Sequence, residues 1–411
     1  MELLGATGFQ DKETGRGFSP DKVVSETSLL LMASATLVSA DRAELLSAAH
    51  DGLARALIPF ARSERVRAAI CIRPAASGEL SFAHACLTSL GYPDPEFEDL
   101  VEAARSSEAV ASRERLPHRM MEQEWIHRAV DGSLESTPAL ARMSLLGLGV
   151  DALASTRDDI YAFTHAVMYL TDFGARRSWL PRTWTAIEAD AVASLAFSLD
   201  AQDYDLAGEV LLTWPLLRRA WSPAATFGFH LLTQVEDEAG FLPPPGITAD
   251  PYVQLSGTER STVVLADVYH TACVMGLLSI AALRDGCAPP AAIAGTGRYQ
   301  GASEAILQLI DRSGDGRPAP HWRERTRALT AGQRDGLSPL FVAICLRRGA
   351  SALNLPFVRD ALRVAAKHGL LDAPAPRQAL QLLDRATRAV GHVEPTVQAR
   401  DAAATGSATE P

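Results

Sequence analysis

Lysine is almost missing from this chain of 411 residues: it stands only at Lys12, Lys22 and Lys367, so arginine carries nearly all the positive charge. Acids outnumber bases and the formal net charge is -10. A phosphate backbone calls for a basic face, so no nucleic-acid partner is expected. Cysteine is sparse: Cys71, Cys86, Cys273, Cys287 and Cys345 are scattered, odd in number and contain no CxxC. That pattern speaks against a disulfide framework and fits free thiols in a reducing cytoplasm. No run of roughly 18 apolar residues occurs, so no membrane span is expected. The longest candidate, Val268–Leu283, is interrupted by Tyr269, His270, Thr271 and Ser279. The polar N-terminus lacks the apolar core of a secretory leader. Glycine-rich phosphate loops, a GxSxG elbow and a dinucleotide fingerprint are all missing, which leaves ATP, NAD and α/β-hydrolase chemistry without support. Alternating β-branched runs are missing too, so no strand is expected.

What is present is helical. Hydrophobic residues make up 47% of the chain, enough for a large core. Residues 1–23 lack any period and read as a loosely attached arm. An N-terminal helical region follows over 24–130, with helices at Glu26–Ser39, from Asp41 to about Arg62, and at Val66–Ile72, Glu79–Gly91 and Pro95–Ser106. Asp41 and Glu44 have the spacing of a capping box. Leu116, Met120, Met121, Trp125 and Ile126 repeat at helical spacing, as an amphipathic helix packed on the core does. Regular helices are expected through 131–391, at Leu134–Leu146, Thr156–Phe173, Thr183–Leu199, Asp203–Thr213, Pro223–Glu238, Thr258–Arg284, Arg298–Asp311, Leu337–Arg348, Pro356–His368 and Pro376–Val390. Residues 392–411 read as a disordered tail. Helix pairs about 40–50 residues long suggest an array or closed ring of hairpins.

The segment Arg157–Gly174 is apolar enough to be buried, yet it carries Thr164, His165, Thr171 and Asp172. Helical spacing puts Tyr161, His165, Met168 and Asp172 on one face. A carboxylate beside an imidazole fixes its tautomer, as a general base needs. Asp172 also lies close enough to Gly174 to be a capping residue. His270 is the second candidate. Cys273 follows it by three residues, and a His-x-x-Cys pair can ligate zinc if His165 or Asp172 adds a third ligand. No cofactor is otherwise indicated. Asp205 and Glu209, four residues apart, have the form of an acid–base pair. They equally fit a solvated helix start with Asp203 as its N-cap. Tyr161, Tyr169 and Tyr269 are candidate cavity or core aromatics.

Two resemblances bear on this. Phe229–Leu242, FHLLTQVEDEAGFL, resembles the helix-end signature of α/α-toroid proteins such as terpene cyclases and prenyltransferase β-subunits, with Gln234, Gly240 and Phe241 in the signature positions. The usual Asp-Gly-Gly-aromatic turn reads DEAGF here and the cyclases' DxDD motif is missing, so the resemblance implies a toroid and not terpene chemistry. Thr164–Gly174 and Tyr269–Leu278, THAVMYLTDFG and YHTACVMGLL, resemble a family of uncharacterised actinobacterial helical proteins. That resemblance extends over most of 110–390 and implies no catalytic residues. If the toroid holds, Thr156–Phe173, Asp203–Thr213 and Thr258–Arg284 are inner helices, and His165, Asp172, Asp205, Glu209, His270 and Cys273 face one cavity.

The expectation is therefore an all-α chain, an α/α toroid or ring of hairpins with an N-terminal extension. Its expected function is that of a cytoplasmic enzyme, placed in specialised metabolism, using His165 and His270 tuned by Asp172. It would cyclise, eliminate or isomerise a small, partly apolar substrate. Tyr161, Tyr169, Tyr269, Asp205, Glu209 and Cys273 would line the substrate. The alternative is a non-catalytic helical scaffold that binds a peptide or partner protein.

Overall fold

A computed structural model of the chain describes residues 20–37, 40–108, 114–131, 138–244, 254–312 and 320–404, with backbone alone at 37, 40–45, 131, 259–265 and 390–404. Among the described residues there are helices and no strand. The longer helices are α1 (Pro20–Leu37), α2 (Ala40–Ala61), α3 (Glu64–Ile72), α4 (Ser77–Ser89), α5 (Pro95–Arg105), α6 (Pro117–Asp131), α7 (Arg157–Thr171), α8 (Trp184–Asp200), α9 (Tyr204–Leu211), α10 (Pro223–Ala239), α11 (Gly257–Ala282), α12 (Ala302–Arg312), α13 (Ser338–Ser351), α14 (Leu355–Lys367) and α15 (Pro374–Ala404). No described helix is long and apolar enough to cross a membrane.

The chain forms two compact units. The first holds residues 1–150, 156–293 and 320–327; the second holds 151–155, 294–319 and 328–411. Of the expected regions 24–130 and 131–391, the first shares a unit with residues 131–150 and 156–293 of the second. Within the first unit, α1 packs on α4, α4 on α6, α6 on α7, α7 on α9, α9 on α11, and α11 back on α1. This is a closed circuit of six helices. Outside it, α2 packs on α1 and α4, while α8 and α10 pack on each other and on α9. The expected toroid over 131–391 is not what this pattern establishes. The circuit takes α1, α4 and α6 from upstream of residue 131 and nothing from downstream of α11.

Close helix approach in this circuit depends on two glycines. A Cβ on Gly208 of α9 would stand 2.8 Å from Val274 Cγ1 of α11. A Cβ on Gly276 of α11 would stand 3.1 Å from Leu30 Cδ1 of α1. Around α1, α2 and α4 the core is Val24, Leu31, Leu57, Ala83 and Leu87, and α3 closes on α5 through Ile70, Phe97 and Val101. Burial of such side chains contributes about 1.5–3 kcal/mol each, an upper estimate against an extended chain.

In the second unit α13 packs against α12, α14 and α15. Asp335 there accepts hydrogen bonds from the backbone N–H of Gly301 (3.0 Å) and from the Ser303 hydroxyl (2.7 Å). Gly301 has φ 75°, a left-handed turn that starts α12 at Ala302 instead of the expected Arg298.

Other expectations shift locally. Helix α2 begins at Ala40, so Asp41 is already inside it and is not its cap; the side chains of Asp41 and Glu44 lie outside the described residues. The expected helix Leu134–Leu146 is observed as Pro138–Met143 and Leu145–Leu148, broken at Ser144, and its start lies outside the described residues. Most of the expected arm, residues 1–19, and the tail beyond 404 also lie outside them. Helix α1 begins at Pro20 and α15 continues to Ala404, so both reach into segments expected to lack structure.

Candidate functional site

Four helices of the circuit converge on two carboxylates. Helix α9 starts where Asp203 accepts from the Leu206 N–H at 3.1 Å, an N-cap as expected. Within the first turn comes Asp205 and one turn later Glu209, with side chains only 4% and 2% exposed. The solvated helix start is thereby overturned. Acids near a helix start are ordinarily wet, but Gly208 brings this helix flat against α11, where both are buried.

Helix α7 supplies the facing groups. It is locked at its start by a capping box between Thr156 and Asp159. Tyr161, His165 and Tyr169 then stack at four-residue spacing, with 5.9 Å between ring centroids at each step. The Tyr161 hydroxyl donates to Asp205. The Thr164 hydroxyl donates to Glu209 Oε2 at 2.6 Å, and His165 Nε2 lies 3.7 Å from the same oxygen. From α11, His270 Nε2 lies 3.8 Å from Glu209 Oε1 and 3.4 Å from Asp205 Oδ1. From α1, Glu26 Oε1 lies 2.9 Å from His270 Nδ1. Arg157 closes the outer end, with Nε 2.6 Å from Asp203 and a terminal nitrogen 3.3 Å from Asp205. Glu209 therefore sits between two imidazoles, and His270 sits among three carboxylates.

The charges follow from this geometry. Burial alone would lower His270, but the Glu26 contact and the charges of Asp205 and Glu209 outweigh it and push it up to about 8. Burial pushes Glu209 up; the imidazoles of His165 and His270 and the Thr164 hydroxyl more than reverse this and hold it below the usual carboxylate range. Asp205 is raised, by burial first, with His270 opposing and Glu209 adding to the rise. Two carboxylates one turn apart thus differ in acidity, a pattern found where groups divide acid and base work. Burial and the neighbouring carboxylates keep the Tyr161 phenol far above its ordinary range, so it stays a neutral donor.

The rings of His165 and His270 remain 24% and 27% exposed, whereas the carboxylates behind them are sealed. His165 Nδ1, on the buried part of its ring, has no hydrogen-bond partner. Around it stand Tyr161, Tyr169 and the ring of His118 on α6, 6.1 Å away. Burial and the neighbouring His165 pull His118 down to about 4, so it is neutral at ordinary pH.

Of the expected residues, the structure brings together His165, His270, Tyr161, Asp205 and Glu209. Tyr169 lies at the edge and donates to Glu122 at 2.8 Å. Asp172 is not in the site. Helix α7 ends at Thr171, and Asp172 is its left-handed cap at φ 53°, its backbone N–H turned to Met168 and Tyr169. Its carboxylate accepts from Trp125 Nε1 at 2.6 Å. Its capping alternative is the one observed. Tyr269 faces Lys22 Nζ, 5.9 Å from its ring centroid. Burial, with Glu26 adding to it, pushes the Cys273 thiol up to about 12, so the free thiol is neutral and not a nucleophile at neutral pH. Among the described residues, no three His, Cys, Asp or Glu side chains are grouped to hold a metal ion.

Glu26, Arg157 and His118 were missed. The signal for Glu26 was there: it is a charged residue heading the apolar run ETSLLLMASATL. No single-segment pattern points from it to His270, 244 residues away.

No curated protein and no solved structure matches this chain. A family profile does match, over residues 6–280, more than half of the chain. That span runs from before α1 into α11 and includes Glu26, His165, Asp205, Glu209 and His270. The chain belongs to the family described as Domain of unknown function (DUF6895).

Proposed function

We propose that the protein is an acid–base enzyme acting on a small, partly apolar molecule beside His165. The observation that carries this is the buried, ionised Glu209 against His165 Nε2, with Nδ1 on the opposite edge of the ring unpartnered. A carboxylate behind one imidazole nitrogen holds the proton there and leaves the other as a lone pair, the arrangement of a general base. The 3.7 Å separation is longer than a hydrogen bond, and such contacts tighten when substrate binds. Protonation of Nδ1 would give an imidazolium that Glu209 stabilises.

His270 has both nitrogens turned to carboxylates, so its part is to hold Glu26, Asp205 and Glu209 together as a positive centre. Tyr161, with its phenol kept neutral, donates to Asp205 and orients that carboxylate, while the His165 imidazolium returns the proton. Proton removal at one atom and return at another serves an isomerisation, an elimination or a cyclisation. The tyrosine rings give the substrate an apolar flank. The same reading takes the six-helix circuit as the inner wall of a toroid-like enclosure, with α2, α8 and α10 outside. Free cysteines at all five positions support a reducing, cytoplasmic setting.

The test is to incubate the purified chain with a bacterial metabolite extract and follow compounds by mass spectrometry. Wild-type protein is expected to consume at least one compound, and His165→Ala and Glu209→Gln to slow this by about 100-fold or more. Equal consumption by the variants would sink the assignment. A compound or peptide retained but never consumed favours the scaffold.

A further inference from the structure

Three arginines gather past the end of α7. The helix closes with three successive left-handed residues, Asp172, Phe173 and Gly174, at φ 53°, 48° and 88°. Arg284, just beyond α11, donates to the Gly174 carbonyl. A Cβ on Gly174 would stand 2.9 Å from Leu216 Cδ2 and 3.7 Å from Arg284 Nη1. Trp221 Nε1 donates to the Cys287 carbonyl at 2.8 Å, tying the segment after Leu216 to the segment after Arg284. Three segments therefore meet here, and they carry Arg177, Arg218 and Arg284.

Arg218 is itself left-handed, at φ 52°, and is pinned by backbone hydrogen bonds from its own N–H to Pro215 (3.1 Å) and from the Arg219 N–H to Trp214 (2.9 Å). A non-glycine residue in this region is uncommon and must be held by its surroundings. The turn fixes where the guanidinium emerges. Among the described residues, the side chains of Arg177 and Arg218 make no hydrogen bond or ion pair, and Arg218 Nε is buried without a partner. Arg284 spends one N–H on a carbonyl. Asp172, upstream of Arg177, is taken by Trp125 and lies 3.9 Å from Arg176, and Asp285 follows Arg284 in the chain. Burial first, then the charges of Arg218 and Arg177, hold Arg284 below the usual guanidinium range. In a chain of net charge -10, three arginines brought to one place stand against the overall composition.

We propose that Arg177, Arg218 and Arg284 form a binding site for the phosphate group of a small molecule. A planar guanidinium presents paired N–H donors that match phosphate oxygens two at a time. A phosphate carries about -1.5 to -2 at neutral pH and so uses more than one such group, whereas a single arginine suffices for a carboxylate. This site stands apart from the acid–base reading and does not depend on it.

The experiment is calorimetric titration of the full chain with inorganic phosphate at constant ionic strength, with co-sedimentation on vesicles containing phosphatidic acid as a second arm. Saturable binding of one phosphate is expected, weakened about tenfold or more by Arg218→Gln and by Arg177→Gln. Arg359→Gln, at an exposed arginine of the second unit, should leave it unchanged. Arg177 is exposed, so its replacement keeps the test valid if the Arg218 variant fails to fold. No saturable binding, equal binding by all variants, or binding to vesicles without binding of free phosphate would each overturn the proposal.

Discussion

His270 makes the residue-scale energetics testable by pH alone. Its folded value of about 8 stands above the ordinary 6.5. The stability it contributes is therefore fully present below pH 6.5 and is lost as pH rises through 8. The difference corresponds to about 2 kcal/mol. Urea denaturation at pH 6 and pH 9 should show that loss in the wild type, and His270→Gln should flatten it. Two buried histidines act with the opposite sign. His84 and His118 are both lowered to about 4, chiefly by burial. Their contribution is present above pH 6.5 and is lost as pH falls towards 4, so stability should peak between these limbs. His118→Gln should shallow the acid limb. At this scale the sequence was partly legible. His165, Tyr161 and His270 stand out as polar residues in apolar helices. Asp205 and Glu209 were legible as a pair four residues apart, but their burial was not, because acids near a helix start carry no mark of it. Only contact with α11, distant in sequence, turns them inward.

The decisive property of the helices is how closely two pairs of them approach. Gly208→Ala should raise helix propensity by about 1 kcal/mol. Its Cβ nevertheless meets Val274 Cγ1 at 2.8 Å, and overpacking costs about 1–3 kcal/mol. A net loss in denaturant midpoint is expected; a gain would show that α9 does not lie against α11 as described. Capping separates in the same way. Asp172 is left-handed, which asparagine tolerates and alanine does not. Asp172→Asn should keep the end of α7 and any turnover, whereas Asp172→Ala should lower stability. Helix α7 was legible to within two residues from its Thr156 start and Gly174 stop. Its last turn was not, since the same acid fits a catalytic face or a cap until the dihedrals are known.

The circuit of six helices is the feature of the first unit that no local pattern contains. Element lengths suggested a ring, but α1, α4 and α6 close it from the N-terminal side, and closure depends on contacts such as Glu26 with His270. The unit also draws in a late segment, residues 320–327. His321 stacks on Tyr204 with 6.1 Å between ring centroids, and Trp322 is 1% exposed with its Nε1 3.2 Å from Asp200. Trp322→Ala should therefore cost about 3–5 kcal/mol although it lies beyond the family match. Calorimetry should show the transition of the first unit shifted down. An unshifted transition would mean the late segment is not part of that unit.

The arrangement of proton and lone pair on His165 can be read directly by nitrogen NMR of histidine-labelled protein. The expected spectrum of the neutral ring shows His165 protonated at Nε2, towards Glu209, with Nδ1 bare, and this preference weakens in Glu209→Gln. A neutral His165 protonated at Nδ1, or a tautomer indifferent to Glu209, would contradict the assignment of His165 as a base held by a buried carboxylate.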